Sequence, residues 1–175
     1  SDAELIQHCL RGQTSAFQAL YRRYQRPVRG TLFQLCGEAE LDDLVQEVFL
    51  RAWKGLPKFR QSAQFSTWLY RITWNVATDR RRTQGKARSQ PLLPPLVPRS
   101  DQSKLTQLHY EDLVQRGLQA LSLDHRSVLV LHDLEDLPQQ EVASILNIPK
   151  GTVKSRLHHA RLALRTFLQQ EGVQL

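Results

Sequence analysis

Apolar residues recur every three or four positions through most of the 175-residue chain, the spacing of helices that bury one face. Leu5, Ile6, Cys9 and Leu10 share a face of a first helix, with Ser1 and Glu4 spaced as a capping box and Gly12 at its end. Thr14 or Ser15 then caps a longer helix whose stripe runs Phe17, Leu20, Tyr21, Tyr24, Val28, Leu32, Leu35. Pro27 predicts a kink in it, and Arg22, Arg23, Arg26 and Arg29 make its other face basic. After Gly37 the charge reverses. Glu38, Glu40, Asp42, Asp43 and Glu47 head a helix in which Leu41, Leu44, Val45, Val48, Phe49 and Ala52 face inward, and carboxylates in a first turn suit the positive end of the helix dipole. Gly55 and Pro57 stop it, and a polar loop runs to Gln64. In the next helix, FSTWLYRITWNVATDRRR, the residues Phe65, Trp68, Leu69, Ile72 and Val76 fill one face, leaving Tyr70, Arg71, Trp74, Asn75 and Arg80 to Arg82 for other surfaces.

The period collapses from Thr83 to Ser103, where TQGKARSQPLLPPLVPRSDQS holds four prolines, the composition of a linker. Its Leu92, Leu93, Leu96 and Val97 are more apolar than a free spacer needs, which predicts docking on a surface. Helical signals resume with Leu105, Leu108, Leu113, Leu118 and Leu121, and Ser122 caps a helix carrying Val128, Leu129, Leu131 and Leu134. No strand pattern, internal repeat or glycine-rich phosphate loop occurs in the sequence. The predicted fold is all-α: two small helical domains, 1–84 and 104–175, joined by a proline-rich linker at 85–103.

The stretch Glu141 to Arg165 carries the most specific pattern. Pro138 sits where a first turn tolerates it, Val142, Ala143, Ile145 and Leu146 repeat at helical spacing, Asn147 breaks the run, and a second stripe continues Val153, Leu157, Ala160, Leu164, Leu168. That is helix-turn-helix punctuation. On a wheel of ~100° per residue, Ser155, His158 and His159 fall opposite the second stripe, flanked by Lys154, Arg156, Arg161 and Arg165. Small polar groups between cations suit a helix in a major groove, where the flanks meet phosphates and the centre meets base edges. No acidic side chain lies between Glu141 and Glu171.

Charge sharpens this picture. The formal net charge is +7, which makes nucleic acid the leading partner class and an anionic membrane surface its competitor. Residues 101 to 175 hold 8 basic and 9 acidic side chains, so their cations matter by being gathered on one helix. Aromatics interleaved with arginines from Phe65 to Arg82 suit single-stranded nucleic acid, since bases stack on rings and phosphates meet cations. Trp68 reads as core, and Trp74 fits either core or surface. Cys9 and Cys36 are the only cysteines and read as packing residues; two thiols make neither a disulfide scaffold nor a thiolate zinc site. The histidines show no metal spacing, and neither metal nor cofactor is expected. No apolar run approaches a membrane span and no charged-then-apolar leader is present, so the expected location is cytoplasmic.

With these residues in hand, the chain resembles the extracytoplasmic-function (ECF) group of bacterial RNA polymerase sigma factors over nearly its whole length. DDLVQEVFLRAW (Asp42 to Trp53) is similar to that family's region 2.2, FSTWLYRITWNVATDRRR to regions 2.3 and 2.4, and IPKGTVKSRLHHAR (Ile148 to Arg161) to region 4.2. The resemblance implies a sigma2 module, a linker threading through polymerase and a sigma4 module. It implies that Asp43, Gln46, Glu47, Phe49 and Arg51 dock on the β′ coiled coil of core RNA polymerase, which also contributes its β subunit as a partner. The loop residues Lys58, Phe59, Arg60, Gln61 and Ser62 would capture a flipped base of the −10 element, with Arg71, Asn75 and Arg80 near the displaced strand. Thr152, Lys154, Ser155, Arg156, His158, His159 and Arg161 would meet the −35 duplex. A cognate anti-sigma factor is implied as a further partner.

One departure limits the carry-over. The family's frequent arginine before an Ala-Arg pair is His159 here, after His158. A neutral histidine cannot reproduce a bidentate arginine–guanine contact, worth ~1–3 kcal/mol of discrimination, so the family's base preference is not transferred.

Three other functions fit parts of the chain. A helix-turn-helix regulator acting without polymerase explains the C-terminal part but not the acidic-then-aromatic order of residues 38 to 82. A nuclease using Asp42, Asp43, Glu47 and Asp79 as metal ligands lacks a convergent base or nucleophile, so no catalytic residue is assigned. A pure interaction protein would show nucleic-acid affinity with little salt dependence.

Overall fold

A computed structural model describes residues 1–60, 63–86 and 102–174; the predicted positions Gln61 and Ser62, and most of the predicted linker, lie outside them. The described residues form eight α-helices and no strand. Helix α1 (Asp2–Leu10) starts with the expected capping box, the Ser1 hydroxyl accepting from the Glu4 amide. Helix α2 (Thr14–Cys36) differs from expectation at its start. Neither Thr14 nor Ser15 caps it: Gln13 is the cap, and its carbonyl accepts from the Ala16 amide. The helix also continues as one element through Pro27 and ends at Gly37, whose φ of 80° suits a residue without Cβ.

Helix α3 (Leu41–Gly55) begins after Glu40, which is left-handed at φ 59° and ion-paired with Arg80. A 3-10 turn, Leu56–Lys58, leads through the loop to α4 (Phe65–Lys86). The expected stripes meet in a first core containing Ile6, Leu20, Leu32, Val48, Ala52 and Leu69. Gly55 packs closely under Trp68: a Cβ there would lie 3.1 Å from the ring, a tight contact.

The C-terminal module comprises α5 (Gln102–Ala120), α6 (Leu123–Leu129), a π-helical turn Val130–Leu134, α7 (Gln139–Leu146) and α8 (Lys150–Gln170). Ser122 caps α6 by accepting from the His125 amide. Pro138 lies one position earlier than expected, as the cap of α7. Val128, Leu131, Val142, Ile145, Val153, Leu157 and Ala160 make a second core. Gly117 lets α5 approach α8 closely: a Cβ would fall 2.5 Å from Leu164 Cδ1.

The two modules are joined, a feature that helical periodicity did not announce. Val130 is fully buried in the first core, Tyr70 of α4 belongs to the second, and Trp74 packs against both. Burying one such valine contributes about 1.5–3 kcal/mol. Arg126 is 3% exposed, and its guanidinium donates to the carbonyls of Leu118, Gln119 and Leu121, to Gln119 Oε1 and, across the modules, to the Leu35 carbonyl. These carbonyls lie at the C-terminal ends of α2 and α5, where the helix dipole favours a cation. Burial pushes Arg126 down to about 10, with Arg81 adding repulsion, so it remains charged at neutral pH.

Candidate nucleic-acid and polymerase interfaces

The helix-turn-helix is built by a short left-handed turn. Asn147 takes φ 53°, ψ 48°, a conformation that asparagine tolerates well, and Pro149 caps α8. Because Val153, Leu157 and Ala160 are buried, Lys154, Ser155, His158 and His159 are exposed on the remaining surface of α8. The His158 and His159 rings meet edge-on at 5.4 Å, and His159 stacks on His125 of α6 at 6.4 Å. Thr152 is half-buried. Arg156 reaches Asp124 at 3.1 Å, and Arg161 grips Asp133 through two bonds of 2.9 and 2.6 Å, which raise its pKa. Exposed pairs of this kind contribute only about 0.2–1 kcal/mol, so a phosphate can compete for either arginine.

His125 had no place in the sequence reading. Its Ser122 cap was legible, but nothing local says that α6 runs beside α8.

The predicted polymerase-facing residues divide into two groups. Asp43 and Gln46 are exposed on α3. Arg51 bridges Glu47 (2.6 Å) and Asp79 of α4 (2.7 Å), and those carboxylates raise its pKa. Phe49 is buried rather than presented: its ring edges against Tyr21 at 4.6 Å, because the α2 and α3 stripes close over it. It lies in the wall of a groove of about 710 Å³ between α2 and α3. The same groove carries apolar surface that the inward-facing pattern did not single out, Leu50 at 45% and Trp53 at 39% exposure, with Trp53 edge-on to Phe17. Asp42, once a candidate metal ligand, is paired with Arg29.

At the loop before α4, Lys58 and Arg60 are exposed while Phe59 is half-buried against Phe65 and Trp68, with ring centroids 6.0 and 4.9 Å away. Phe59, Trp68, Lys58, Arg60, Thr67 and Arg71 border a cavity of about 190 Å³, an aromatic wall ringed by cations. Asn75 is exposed. Arg80 is held by Glu40 at the start of α3. Arg71 Nη2 donates to the Ser144 carbonyl (2.8 Å) and hydroxyl (2.9 Å) of α7. Tyr70, which the periodicity left for an outer surface, is 8% exposed and donates to Glu135 at 2.8 Å; burial and that carboxylate push its pKa up.

A helix-turn-helix with a cationic reading face, set beside a second helical module with an aromatic and basic loop, defines a DNA-binding regulatory protein. Family profiles agree: Sigma-70 region 2 matches residues 20–87 and Sigma-70, region 4 matches residues 111–164. The ECF RNA polymerase sigma-E factor of Escherichia coli (strain K12) is 29% identical over 190 aligned positions, covering 97% of this chain and 95% of that protein. The sigma-E factor of Haemophilus influenzae is 29% identical over 181, covering 97% and 96%. Among solved structures, CnrH in complex with the cytosolic domain of CnrY superposes with a TM-score of 0.75 at 25% identity, covering 98% of this chain and 99% of that one. The sigma factor RpoE of Bartonella quintana, solved with the anti-sigma factor NepR, shares the fold at a TM-score of 0.69, 22% identity and coverage of 87% and 96%. The chain belongs to the sigma-70 family, in its ECF group, and acts with RNA polymerase in promoter-directed transcription initiation.

Proposed function

We propose that the N-terminal module, 1–84, binds the β′ subunit of core polymerase and captures unstacked −10 bases, while the C-terminal module, 104–175, reads the −35 duplex and contacts the β subunit. The observation that carries the −35 assignment is the exposed row Lys154, Ser155, His158 and His159 on a helix whose opposite face is buried. Lys154, Arg156 and Arg161 hold phosphates, Thr152 sits at the helix start, and the histidines lie over base edges. Lys58, Phe59, Arg60, Gln61 and Ser62, with Arg71, Asn75 and Arg80, form the −10 side. The 190 Å³ cavity supports this by offering rings to a base and cations to its backbone.

On α3, Asp43, Gln46, Glu47 and Arg51 supply the polar rim of the polymerase contact, and Phe49 supports it from beneath. The exposed Leu50 and Trp53 extend this surface and favour polymerase entry over a regulator that acts without it. The protein has no catalytic activity of its own in this reading and works in the cytoplasm. Both structural relatives were solved with a bound partner, CnrY or the anti-sigma factor NepR. By analogy a cognate anti-sigma factor covers the polymerase-binding surfaces here. No described helix is long and apolar enough to cross a membrane.

Run-off transcription with core polymerase on selected promoters tests the proposal. Wild-type chain should give discrete starts, and Leu50→Asp with Trp53→Asp should abolish both core binding and transcription. Retained duplex binding by a wild-type chain that never binds core would instead establish the polymerase-independent regulator.

A further inference from the structure

Helix α6 meets the reading helix through two successive residues of its first turn. Asp124 reaches Arg156 at 3.1 Å, and the His125 ring lies offset-stacked on His159, with centroids 6.4 Å apart and planes 28° from parallel. Arg156 and His159 are three residues apart on α8, so both stand on the strip of that helix that faces α6. His158 continues the series, edge-on to His159 at 5.4 Å and 73°. Three imidazoles from two helices thus form one row, with His159 in the middle.

The members of the row are not equally free. His158 and His159 are exposed, and among the described residues no hydrogen bond fixes either ring, so the ring contacts alone orient them. His125 is half-buried, and its backbone is tied down on both sides. The Ser122 hydroxyl accepts from its amide at 3.3 Å, and the next residue, Arg126, is 3% exposed and anchored on the carbonyls of Leu118, Gln119 and Leu121. His125 is the fixed member, and it can hold its neighbour.

Holding matters for base readout. An imidazole on a helix surface samples several rotamers, and its ring turns broadly about the last torsion. A hydrogen bond to a base edge needs one ring plane in the groove. A free ring loses that freedom on binding and can turn to suit more than one base, whereas a ring already stacked loses less and keeps one direction.

We propose that His125 is a positioning residue for the −35 contact. By stacking on His159 it fixes the plane of that ring, so the chain's preference at the base pair under His159 is set from α6 as well as from α8. This inference rests on the −35 reading of α8 made above and deepens it.

The test incubates the full chain with a library of short duplexes whose central segment is randomised. Bound duplexes are sequenced, and affinity for the most enriched one is measured by fluorescence anisotropy. His125→Ala should weaken that affinity about threefold, as loss of one aromatic contact does. It should relax the preference at the same base pair as His159→Ala and leave the other positions unchanged. Adding His125→Ala to His159→Ala should change nothing further, because the two rings act as one unit. His125→Phe keeps a ring for the stack but offers no nitrogen, and should restore both affinity and preference. A residue that merely supports α6 would not alter the preference at a single base pair. Unchanged preference in His125→Ala, no rescue by His125→Phe, or additive losses in the double variant would each overturn the proposal. His159→Ala separates the two ideas. Unchanged preference there, or a wild-type chain that enriches no sequence, defeats the −35 reading itself, whereas relaxed preference beside a silent His125→Ala defeats only the positioning.

Discussion

On α8, Lys154, Ser155, His158 and His159 face outward from a helix locked down by Val153, Leu157 and Ala160, whereas on α4 the donors Thr67 and Tyr70 are buried against α7 and the π turn and the exposed Arg71 is bonded to Ser144 of α7. Both surfaces carry the cations and polar groups that DNA needs, but only the first is ready to use them. Reading a duplex requires a rigid helix in a groove and no rearrangement of the protein. Capturing a strand requires rings and donors that meet bases only after those bases unstack, and here Thr67, Tyr70 and Arg71 are hydrogen-bonded to Glu141, Glu135 and Ser144.

The largest effect should come from the residue that ties the two surfaces together. Replacing Arg126 with Met keeps the volume but strips its donors from the buried carbonyls of Leu35, Leu118, Gln119 and Leu121. The expected loss is about 3 kcal/mol in urea unfolding, since each buried acceptor left unmade costs ~1–3 kcal/mol. Next is Gly117→Ala, which drives a Cβ into Leu164 and Phe167. It should cost about 1–3 kcal/mol by overpacking and weaken −35 duplex binding, because α8 loses its seat on α5. Arg71→Ala, which removes the bonds to Ser144, then probes the α4 side alone: promoter opening by the holoenzyme should fall while −35 duplex binding stays unchanged.

Changing His158 and His159 together to alanine should reduce affinity for a selected −35 duplex about fivefold to tenfold, equivalent to ~1 kcal/mol, and relax its sequence preference. Unchanged affinity and preference would remove the histidines from the reading face. The smallest effect is expected for Asp133→Asn, which releases Arg161 from its two bonds. Stability should fall by less than ~1 kcal/mol, while duplex binding strengthens slightly and its salt dependence steepens.

How much of this was legible follows from how local each signal is. Asn147 could be read because a left-handed turn is set by one residue, and the α8 face because its stripe is written in a single helix. Phe49 was readable as core from its stripe, and it is buried, in the wall of the groove between α2 and α3. Tyr70 and Arg71 were assigned to a free surface because their partners, Glu135 and Ser144, lie 65 and 73 residues away. Nothing between them in the sequence encodes that closure. Arg126 is similar: composition counts it as one more cation, and only the ends of α2 and α5 meeting around it make it structural. Leu50 and Trp53 went unremarked because an exposed apolar residue differs from a buried one only once the neighbours are placed.

Amide hydrogen exchange of the whole chain, alone and with core polymerase, tests this contrast most directly. In the free chain α4 and α7 should be protected together. On binding core, α7 and the π turn should lose protection while α8 keeps its own. Equal protection of α7 in the free chain and in the holoenzyme would contradict an open −35 reader paired with a masked −10 reader.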